Sequence, residues 1–509
     1  MVEKALEKYT LVVDGVSSSI MIKKKSNELT PIYEISIPTL EKGTLALLDK
    51  VRDSLVSQIP IKATELVDVS VTESIKEKFR TKGLEIIKSE LPKIDVQVQK
   101  YLIGFLIHEM LGLGNLEILL ADGNLEEIVI NSAPDPVWVY HKKYGWLKTN
   151  IYLPSEAVIA NYATSIGRKV GRQITVLTPL MDAHLPTGDR VNATLFPIST
   201  RGNTLTIRKF RRSPWTITDF IENKTISPDV AALLWLSLQY EINMIVSGGT
   251  ASGKTSFLNV LTPFIPSNQR IISIEDTREL TLPSFLHWIP LTTREPNAEG
   301  KGEVTMLDLL VNSLRMRPDR IILGEIRRAR EAEVLFEAMH TGHSVYATIH
   351  AYTAEQTYRR LINPPINVPE MMLEALHLIT VCFRDRRLGI RRIFQVSELV
   401  PPEKGTGGVT VNTIFRWLAD KDIIEQHSES YRLFEELKMH TGMSNAEISS
   451  DLKDKVKILE WLVKNKVNTV DSIGKIVSQY YSEPDTILDL VQKNKKPQNL
   501  ENDNEGIKT

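Results

Sequence analysis

The feature that most constrains this chain is the stretch from Ile242 to Thr255, which reads INMIVSGGTASGKT. It contains the pattern Gly248-x-x-x-x-Gly253-Lys254-Thr255, placed after an apolar strand and before a helical run. Glycines at this spacing let successive backbone N–H groups turn inward, and the start of the following helix adds partial positive charge. The pattern predicts a phosphate-binding loop at the end of a strand, and the alternative is a glycine-rich turn that binds nothing.

The chemistry expected of this loop is ATP binding with Mg²⁺. Lys254 would reach the β- and γ-phosphates, and the Thr255 hydroxyl would ligate the metal. The residues expected to contact the nucleotide are Gly248, Gly249, Thr250, Ala251, Ser252, Gly253, Lys254, Thr255 and Ser256.

Length and composition limit the number of domains, the ligands and the cellular location that can be expected of this chain. A chain of 509 residues should contain two or three domains. Lys plus Arg number 62 and Asp plus Glu number 63. The chain therefore lacks the overall positive charge that is typical of a nucleic-acid channel. The single Cys382 excludes an intrachain disulfide and a multi-cysteine metal site. Because polar residues interrupt the longest apolar stretches and no signal peptide is evident, we expect a cytoplasmic protein.

The order of predicted elements divides the chain into segments and favours an α/β fold with a largely parallel sheet. After position 227, strand candidates at 243–247, 270–274, 320–323 and 344–349 alternate with helices. The predicted segments are an N-terminal segment 1–95 of unknown role, an α+β domain 96–214, a linker 215–228, a motor domain 229–402, a flexible break 401–408, a mostly helical extension 409–492 and a disordered tail 493–509.

Two predicted strands end in acidic residues, at the sheet edge where the phosphate loop should lie. One strand reads RIISIED and ends at Glu275 and Asp276, and the other reads RIILGE and ends at Glu325. ATP hydrolysis requires one carboxylate for hydrated Mg²⁺ and another to orient and deprotonate water. We assign Glu325 to the metal and Glu275, with Asp276 and Glu279 nearby, to the water. The reverse assignment stays open, as does the alternative that these are ordinary strand-end acids.

Histidines bracket a further strand in GHSVYATIHA. His350, at the end of this strand, could donate a hydrogen bond to the γ-phosphate and so distinguish ATP from ADP. For His343, at the beginning of the strand, a sensing role and ordinary strand capping are equally compatible with the sequence.

Arginines concentrate in three runs, at 208–212, 315–330 and 384–392. Phosphoryl transfer commonly requires an extra cation on the γ-phosphate, supplied by a neighbouring domain or subunit. Arg190 and Arg208 are the candidates, because both precede the phosphate loop in the predicted α+β domain. Domain closure over ATP could bring them to the γ-phosphate.

Five motifs in order resemble those of the secretion ATPase superfamily, which drives type II secretion, type IV pilus assembly and the archaellum. They are LMDAHLPTGDRVNATLFP with TIRKF, GGTASGKT, IEDTRE, RPDRIILGEIR and GHSVYATIHA, within about residues 100 to 400. The resemblance implies an N-terminal domain that carries Arg190 and Arg208 as nucleotide-contacting arginines, joined by a linker to a RecA-like motor domain. It also implies a hexameric homo-oligomer at the inner face of the cell membrane, acting on a polytopic platform protein and on filament or secretion machinery.

One departure from the family pattern narrows the resemblance. The chain lacks the four-cysteine zinc module of many bacterial secretion members, which favours the archaeal branch. Two other functions stay open at this point. One is a hexameric motor that translocates nucleic acid, and the other is a nucleotide-dependent scaffold with negligible turnover.

Overall fold

The computed structural model describes residues 3–26, 28–38, 40–59, 69–185, 188–210, 214–294, 296, 300–385, 387–401 and 408–495. These residues form two compact units, divided between positions 212 and 213. Most of the predicted flexible break and nearly all of the predicted disordered tail, at 402–407 and 496–509, lie outside the described residues.

The described residues of the first unit form a sheet and five helices. Its strands are β1 (Glu3–Val13), β2 (Val16–Lys25), β3 (Ile32–Ser36), β4 (Leu125–Ile130), β5 (Trp138–His141), β6 (Gly145–Thr149), β7 (Leu180–His184), β8 (Arg190–Thr194) and β9 (Thr204–Arg208). Its helices are α1 (Lys42–Gln58), α2 (Val69–Glu90), α3 (Val96–Leu111), α4 (Leu116–Ala121) and α5 (Glu156–Lys169). Strands β4 and β5 pair as an antiparallel hairpin.

The strands of this unit form one sheet in the order β1-β2-β3-β6-β5-β4-β9-β8-β7. Strands from the predicted N-terminal segment 1–95 pair through β3 with β6 of the predicted α+β domain, in parallel. Alternating buried residues on these strands, such as Ile20, Ile22 and Tyr33, belong to the same apolar core as Ile128 and Val139. Residues 3–26 and 28–36 therefore complete this sheet and do not form a separate body.

The second unit contains the other nine strands of the described chain. They are β10 (Met244–Gly248), β11 (Arg270–Glu275), β12 (His287–Thr292), β13 (Arg320–Leu323), β14 (Ser344–Ile349), β15 (Leu378–Asp385), β16 (Ile390–Val400), β17 (Thr410–Leu418) and β18 (Ile423–Gln426). The helices are α6 (Ile217–Glu222), α7 (Pro228–Gln239), α8 (Lys254–Leu261), α9 (Met306–Ser313), α10 (Ala329–His340), α11 (Ala354–Ile362), α12 (Arg432–Thr441), α13 (Asn445–Lys464), α14 (Val470–Ser482) and α15 (Pro484–Gln492).

The second sheet has the order β12-β11-β13-β14-β10-β15-β16-β17-β18. Strands β12 to β15 pair in parallel, and β15 to β18 pair in antiparallel fashion. Strands β10, β13 and β14 are buried along their whole length, as expected where helices cover both faces of a parallel sheet. The α/β fold class predicted for the motor domain is confirmed, and β14 separates the phosphate-loop strand from β13.

Side-chain caps begin several helices of this unit. Ser227 caps α7 with Pro228 in the first turn, and capping boxes open α9 at Thr305 and α13 at Ser444. The segment predicted as a linker contains the short helix α6, whose N-cap is Thr216.

The C-terminal helices pack into the core of the second unit. The Trp235 ring of α7 stacks on Phe264 at 5.0 Å and meets Tyr480 of α14 edge-on at 5.5 Å. Trp235 Nε1 donates to Tyr481 Oη over 2.8 Å. Strands β17 and β18, which the sequence pattern did not predict, extend the same sheet beyond β16. The predicted extension 409–492 is therefore built onto the motor sheet.

Among the described residues, no helix combines the length and apolar character needed to cross a membrane.

Candidate functional site

The phosphate loop leaves the buried strand β10 and ends at the first turn of α8. Gly253, the N-cap of α8, has φ 94°, which favours glycine because a side chain is strained in this region. A Cβ on Gly248 would lie 2.4 Å from Ser252 Oγ and 2.6 Å from the Cys382 carbonyl oxygen. The loop is therefore closed too tightly for a side chain at 248, and its backbone turns toward the helix N-terminus.

Lys254 lies across this loop. Its ammonium group donates to the carbonyl oxygens of Gly248 over 3.1 Å and of Gly249 over 3.2 Å. Burial lowers the pKa of Lys254, and the nearby charges of Glu325 and Glu279 oppose that shift. The amino group is thus positioned over the loop backbone, with carboxylates close enough to stabilise its charge.

The predicted acids and one predicted histidine converge on the same edge of the sheet. Glu275 ends β11, Glu325 follows β13 by two residues, and His350 directly follows β14. Because β10, β11, β13 and β14 are parallel, their carboxyl ends share the edge that carries the phosphate loop. His343 precedes β14 and so lies at the opposite edge, where its Nδ1 is 3.2 Å from the Ala338 carbonyl oxygen.

Glu275 is the most buried of the acids, with only 2% of its surface exposed. Its Oε1 accepts from the backbone N–H groups of Glu279 (2.9 Å) and Leu280 (3.1 Å). Its Oε2 is buried without a hydrogen-bond partner among the residues that the structure describes. Burial raises the pKa of Glu275 to about 7. A carboxyl group with this pKa can exchange a proton near neutral pH, as a general base requires.

Glu325 is held by Arg327, which lies two residues further along the chain. Arg327 Nε donates to Glu325 Oε2 over 2.9 Å, and Arg327 Nη1 contacts Asp276 Oδ2 at 2.5 Å. Asp276 also accepts from Thr293 Oγ1 over 3.2 Å. The Glu325 side chain is 26% exposed, so solvent and a metal ion can reach it.

His350 contacts the phosphate loop directly. Its Nε2 lies 2.9 Å from Thr250 Oγ1. Burial and then the charge of Lys254 lower the pKa of His350. The imidazole is therefore neutral at neutral pH, where it can donate or accept a single hydrogen bond from Nε2 according to its tautomer.

The two candidate arginines of the first unit are direct neighbours in its sheet. Arg190 in β8 pairs with Arg208 in β9, so the two side chains lie on one face. Arg190 Nε also donates to His184 Nε2 over 3.3 Å. Arg208 pairs with Glu127 of β4 on its other side. Like charges directly opposite each other destabilise a sheet, and an anion between them would remove that cost.

The sequence matches the family model described as "Type II/IV secretion system protein" over residues 109–383, more than half of the chain. The chain belongs to this family. The resemblance predicted from the five motifs is confirmed.

The chain is similar to proteins from an archaeon and from a bacterium. An uncharacterised protein of Methanocaldococcus jannaschii is 35% identical over 417 residues, which are 81% of this chain and 75% of the relative. The type IV secretion system protein PtlH of Bordetella pertussis is 31% identical over 264 residues, covering 48% of this chain and 77% of that protein. The archaeal relative agrees with the predicted archaeal branch.

Among solved structures, the VirB11 ATPase of the Brucella suis type IV secretion system is 26% identical, with 55% of this chain and 92% of that chain covered and a TM-score of 0.28. The pilus retraction motor PilT with bound ADP is 17% identical, with 76% and 99% covered and a TM-score of 0.41.

For this member of the secretion family, the residues around the loop fit a nucleotide with Mg²⁺. Ser247 Oγ, Ser252 Oγ and Glu275 Oε2 are all buried without partners in the described part of the chain, so the loop region and the end of β11 have polar groups to offer a ligand. No group of three or more His, Cys, Asp or Glu side chains there could hold a metal alone. Thr255 and Glu325 would therefore share Mg²⁺ with phosphate oxygens and water, as this ion prefers.

Three site residues were not singled out from the sequence of this family member. Tyr352 lies against Gly249, Arg327 joins Glu325 to Asp276, and Arg391 has its Cδ 3.6 Å from where a Cβ on Gly253 would be. Arg327 and Arg391 fall within arginine runs that the sequence did reveal. Nothing in the local sequence marks Tyr352, because its contact depends on β14 being the neighbour of β10.

Proposed function

We propose that this chain is a Mg²⁺-dependent ATPase that powers assembly of a type IV pilus-like filament, either a pilus or an archaellum, or protein secretion. The observation that carries the proposal is the convergence of Lys254, Glu275, Glu325 and His350 on the edge that holds the phosphate loop. Membership of the type II/IV secretion family supports the link between hydrolysis and export or filament assembly.

The phosphate loop would hold ATP through the backbone of residues 248–256, with Lys254 on the β- and γ-phosphates. Thr255 and Glu325 would hold Mg²⁺, which neutralises the developing charge on the phosphoryl group. Glu275 takes the part of general base in this proposal, because burial has raised its pKa to about 7. Glu279 donates a backbone N–H to the Glu275 carboxylate and so fixes its orientation.

Arg190 and Arg208 would supply the additional cations for the γ-phosphate, from a neighbouring domain or subunit. His350 would report the γ-phosphate by exchanging its contact with Thr250 for one with the nucleotide. Different contacts with ATP and with ADP would then shift the N-terminal domain against the motor domain.

The assembly expected for this function is a homo-oligomeric ring, a hexamer, at the inner face of the cell membrane. Its partners would be a polytopic platform protein and the filament or secretion machinery. A ring would allow arginines of one subunit to act on a nucleotide held by another subunit.

ATP turnover of the purified full-length protein at fixed salt, with and without single- and double-stranded DNA, tests this proposal. We expect turnover that is indifferent to DNA and that falls about a hundred-fold or more in Glu325→Gln. Strong stimulation by DNA would instead identify a nucleic-acid translocase. Unchanged turnover in Glu325→Gln would indicate a nucleotide-dependent scaffold. Mass photometry with a non-hydrolysable ATP analogue tests the ring.

A further inference from the structure

An aromatic ring from the segment after β14 packs on the phosphate loop. A Cβ built on Gly249 would lie 2.6 Å from Tyr352 Cε1, and its next two neighbours, both at 3.4 Å, are also atoms of this ring. The backbone of Gly249 is outside the left-handed region that glycine alone tolerates. The Tyr352 ring is therefore the nearest obstacle to a side chain at position 249.

The same segment contacts the loop at a second point. His350 Nε2 is 2.9 Å from Thr250 Oγ1, and the His350 and Tyr352 rings meet edge-on with centroids 6.3 Å apart. The two side chains thus engage consecutive residues of the loop, Gly249 and Thr250.

The backbone that carries Tyr352 is fixed by the start of α11. Tyr352 N–H donates to Gln356 Oε1 over 3.1 Å, and Thr353 Oγ1 accepts from Gln356 N–H over 3.1 Å. Ala354 N–H donates to Gln395 Oε1 of β16 over 3.1 Å. A capped helix start therefore fixes the backbone from which the ring projects, although Tyr352 itself is 65% exposed.

We propose that Tyr352 is a positioning residue for nucleotide binding, whose ring holds the first half of the phosphate loop in the shape that accepts the phosphates. This inference rests on the proposed function, because it assumes that the loop binds a nucleotide. An exposed aromatic ring contributes little to folding at such a position. Its contribution is to the order of the loop, and small displacements of phosphate-binding groups are costly to affinity and rate.

The test uses the full-length protein and measures the dissociation constant of a fluorescent ADP together with kcat and KM for ATP. We expect Tyr352→Ala to weaken ADP binding and raise KM about tenfold, with a smaller change in kcat, because a loop contact is lost while Glu275 and Glu325 remain. Tyr352→Phe should restore wild-type values, since ring carbons make the contact. Tyr152→Ala, at a tyrosine that is 59% exposed in the first unit, is the matched control.

Steric rescue makes the test decisive. Gly249→Ala alone should weaken ADP binding well beyond the roughly tenfold loss expected of Tyr352→Ala, and Gly249→Ala with Tyr352→Ala should bind no worse than Tyr352→Ala. Gly123→Ala, where a Cβ would have no neighbour within 4 Å, controls for the glycine substitution itself. A double variant as weak as Gly249→Ala, or wild-type KM and ADP affinity in Tyr352→Ala, would overturn the role of Tyr352. Failure of the wild-type protein to bind ADP would overturn the proposed function and this inference with it.

Discussion

Arg327 binds Glu325, with 2.8 Å between Arg327 Nη2 and Glu325 Oε2. The same guanidinium reaches Asp276, so it links the acids that follow β13 and β11. Glu325 is the proposed Mg²⁺ ligand, and this ion pair competes with the metal for the carboxylate. The affinity of Glu325 for Mg²⁺ therefore depends on whether the ion pair between Arg327 and Glu325 is formed.

Replacing Arg327 by Ala should lower the Mg²⁺ concentration needed for half-maximal ATP turnover. The Arg327 side chain is 57% exposed, and exposed ion pairs of this kind contribute up to about 1 kcal/mol, or about fivefold in affinity. A Mg²⁺ titration of turnover checks this expectation. Arg330→Ala, which removes the exposed pair with Glu333 on α10, is the matched control and should change nothing. A higher Mg²⁺ requirement in Arg327→Ala would show that the pair supports metal binding instead.

Protonation of Glu275 should make ATP turnover fall on the acidic side of the pH profile. The carboxyl group accepts a proton from water only when ionised, so kcat should rise with pH through about 7, where burial has placed its pKa. Glu275→Gln should lower kcat about a hundred-fold or more and remove this pH dependence. A kcat profile between pH 5.5 and 8.5 checks the prediction. If the residual kcat of Glu275→Gln still rises with pH through about 7, the titrating group is not Glu275.

The same pKa should affect stability. Because the pKa of Glu275 in the folded chain, about 7, exceeds the 4.5 of an ordinary glutamate, the folded state binds more protons between these values. The free energy of unfolding should therefore fall as pH rises through this window, by about 3 kcal/mol in all. Urea denaturation from pH 4.5 to 8 should show Glu275→Gln more stable than wild type above pH 7. An identical pH slope in both proteins would contradict the prediction.

Arg190 and Arg208 should contribute to hydrolysis more than to nucleotide binding. Arg208→Ala and Arg190→Ala should each lower kcat by about a thousand-fold while ADP affinity changes little, because these cations act on the γ-phosphate. Single-turnover assays and ADP titrations separate the two effects. Arg201→Ala, at an 80% exposed arginine of the same unit, serves as the control. Wild-type turnover in both variants would remove the arginines from the mechanism.

Lys455 should stabilise the docking of the C-terminal helices. It is fully buried, its Nζ lies 2.5 Å from Asp451 Oδ1, and the ammonium stands 5.4 Å from the Trp235 ring centroid. Lys455→Ala would leave the Asp451 charge with the Tyr480 hydroxyl as a donor but without its cation, and should lower the free energy of unfolding by about 3 kcal/mol or more. Urea denaturation measures the loss.

The control for Lys455 lies on the same helix. Lys457 pairs with Asp454 at 2.7 Å but is 60% exposed, so Lys457→Ala should cost at most about 0.5 kcal/mol. Equal effects of the two substitutions would contradict a special role for the buried pair.

Local sequence determined the parts of this molecule that depend on neighbours in the chain. The phosphate loop, the acids that end β11 and β13, and the caps at Ser227, Thr305 and Ser444 could all be predicted. Each depends on backbone conformation or hydrogen bonds within a few residues, which residue type and spacing largely dictate.

Only the tertiary structure decided which distant segments meet. It placed β14 between β10 and β13, which brings Tyr352 to Gly249, and it joined β1–β3 to the strands that carry Arg190 and Arg208. It also packed the C-terminal helices against Trp235. Strand order and helix docking are set by the total apolar surface buried and by shape complementarity across the whole unit. The pattern of apolar residues within one segment determines neither the total buried apolar surface nor the shape complementarity between segments.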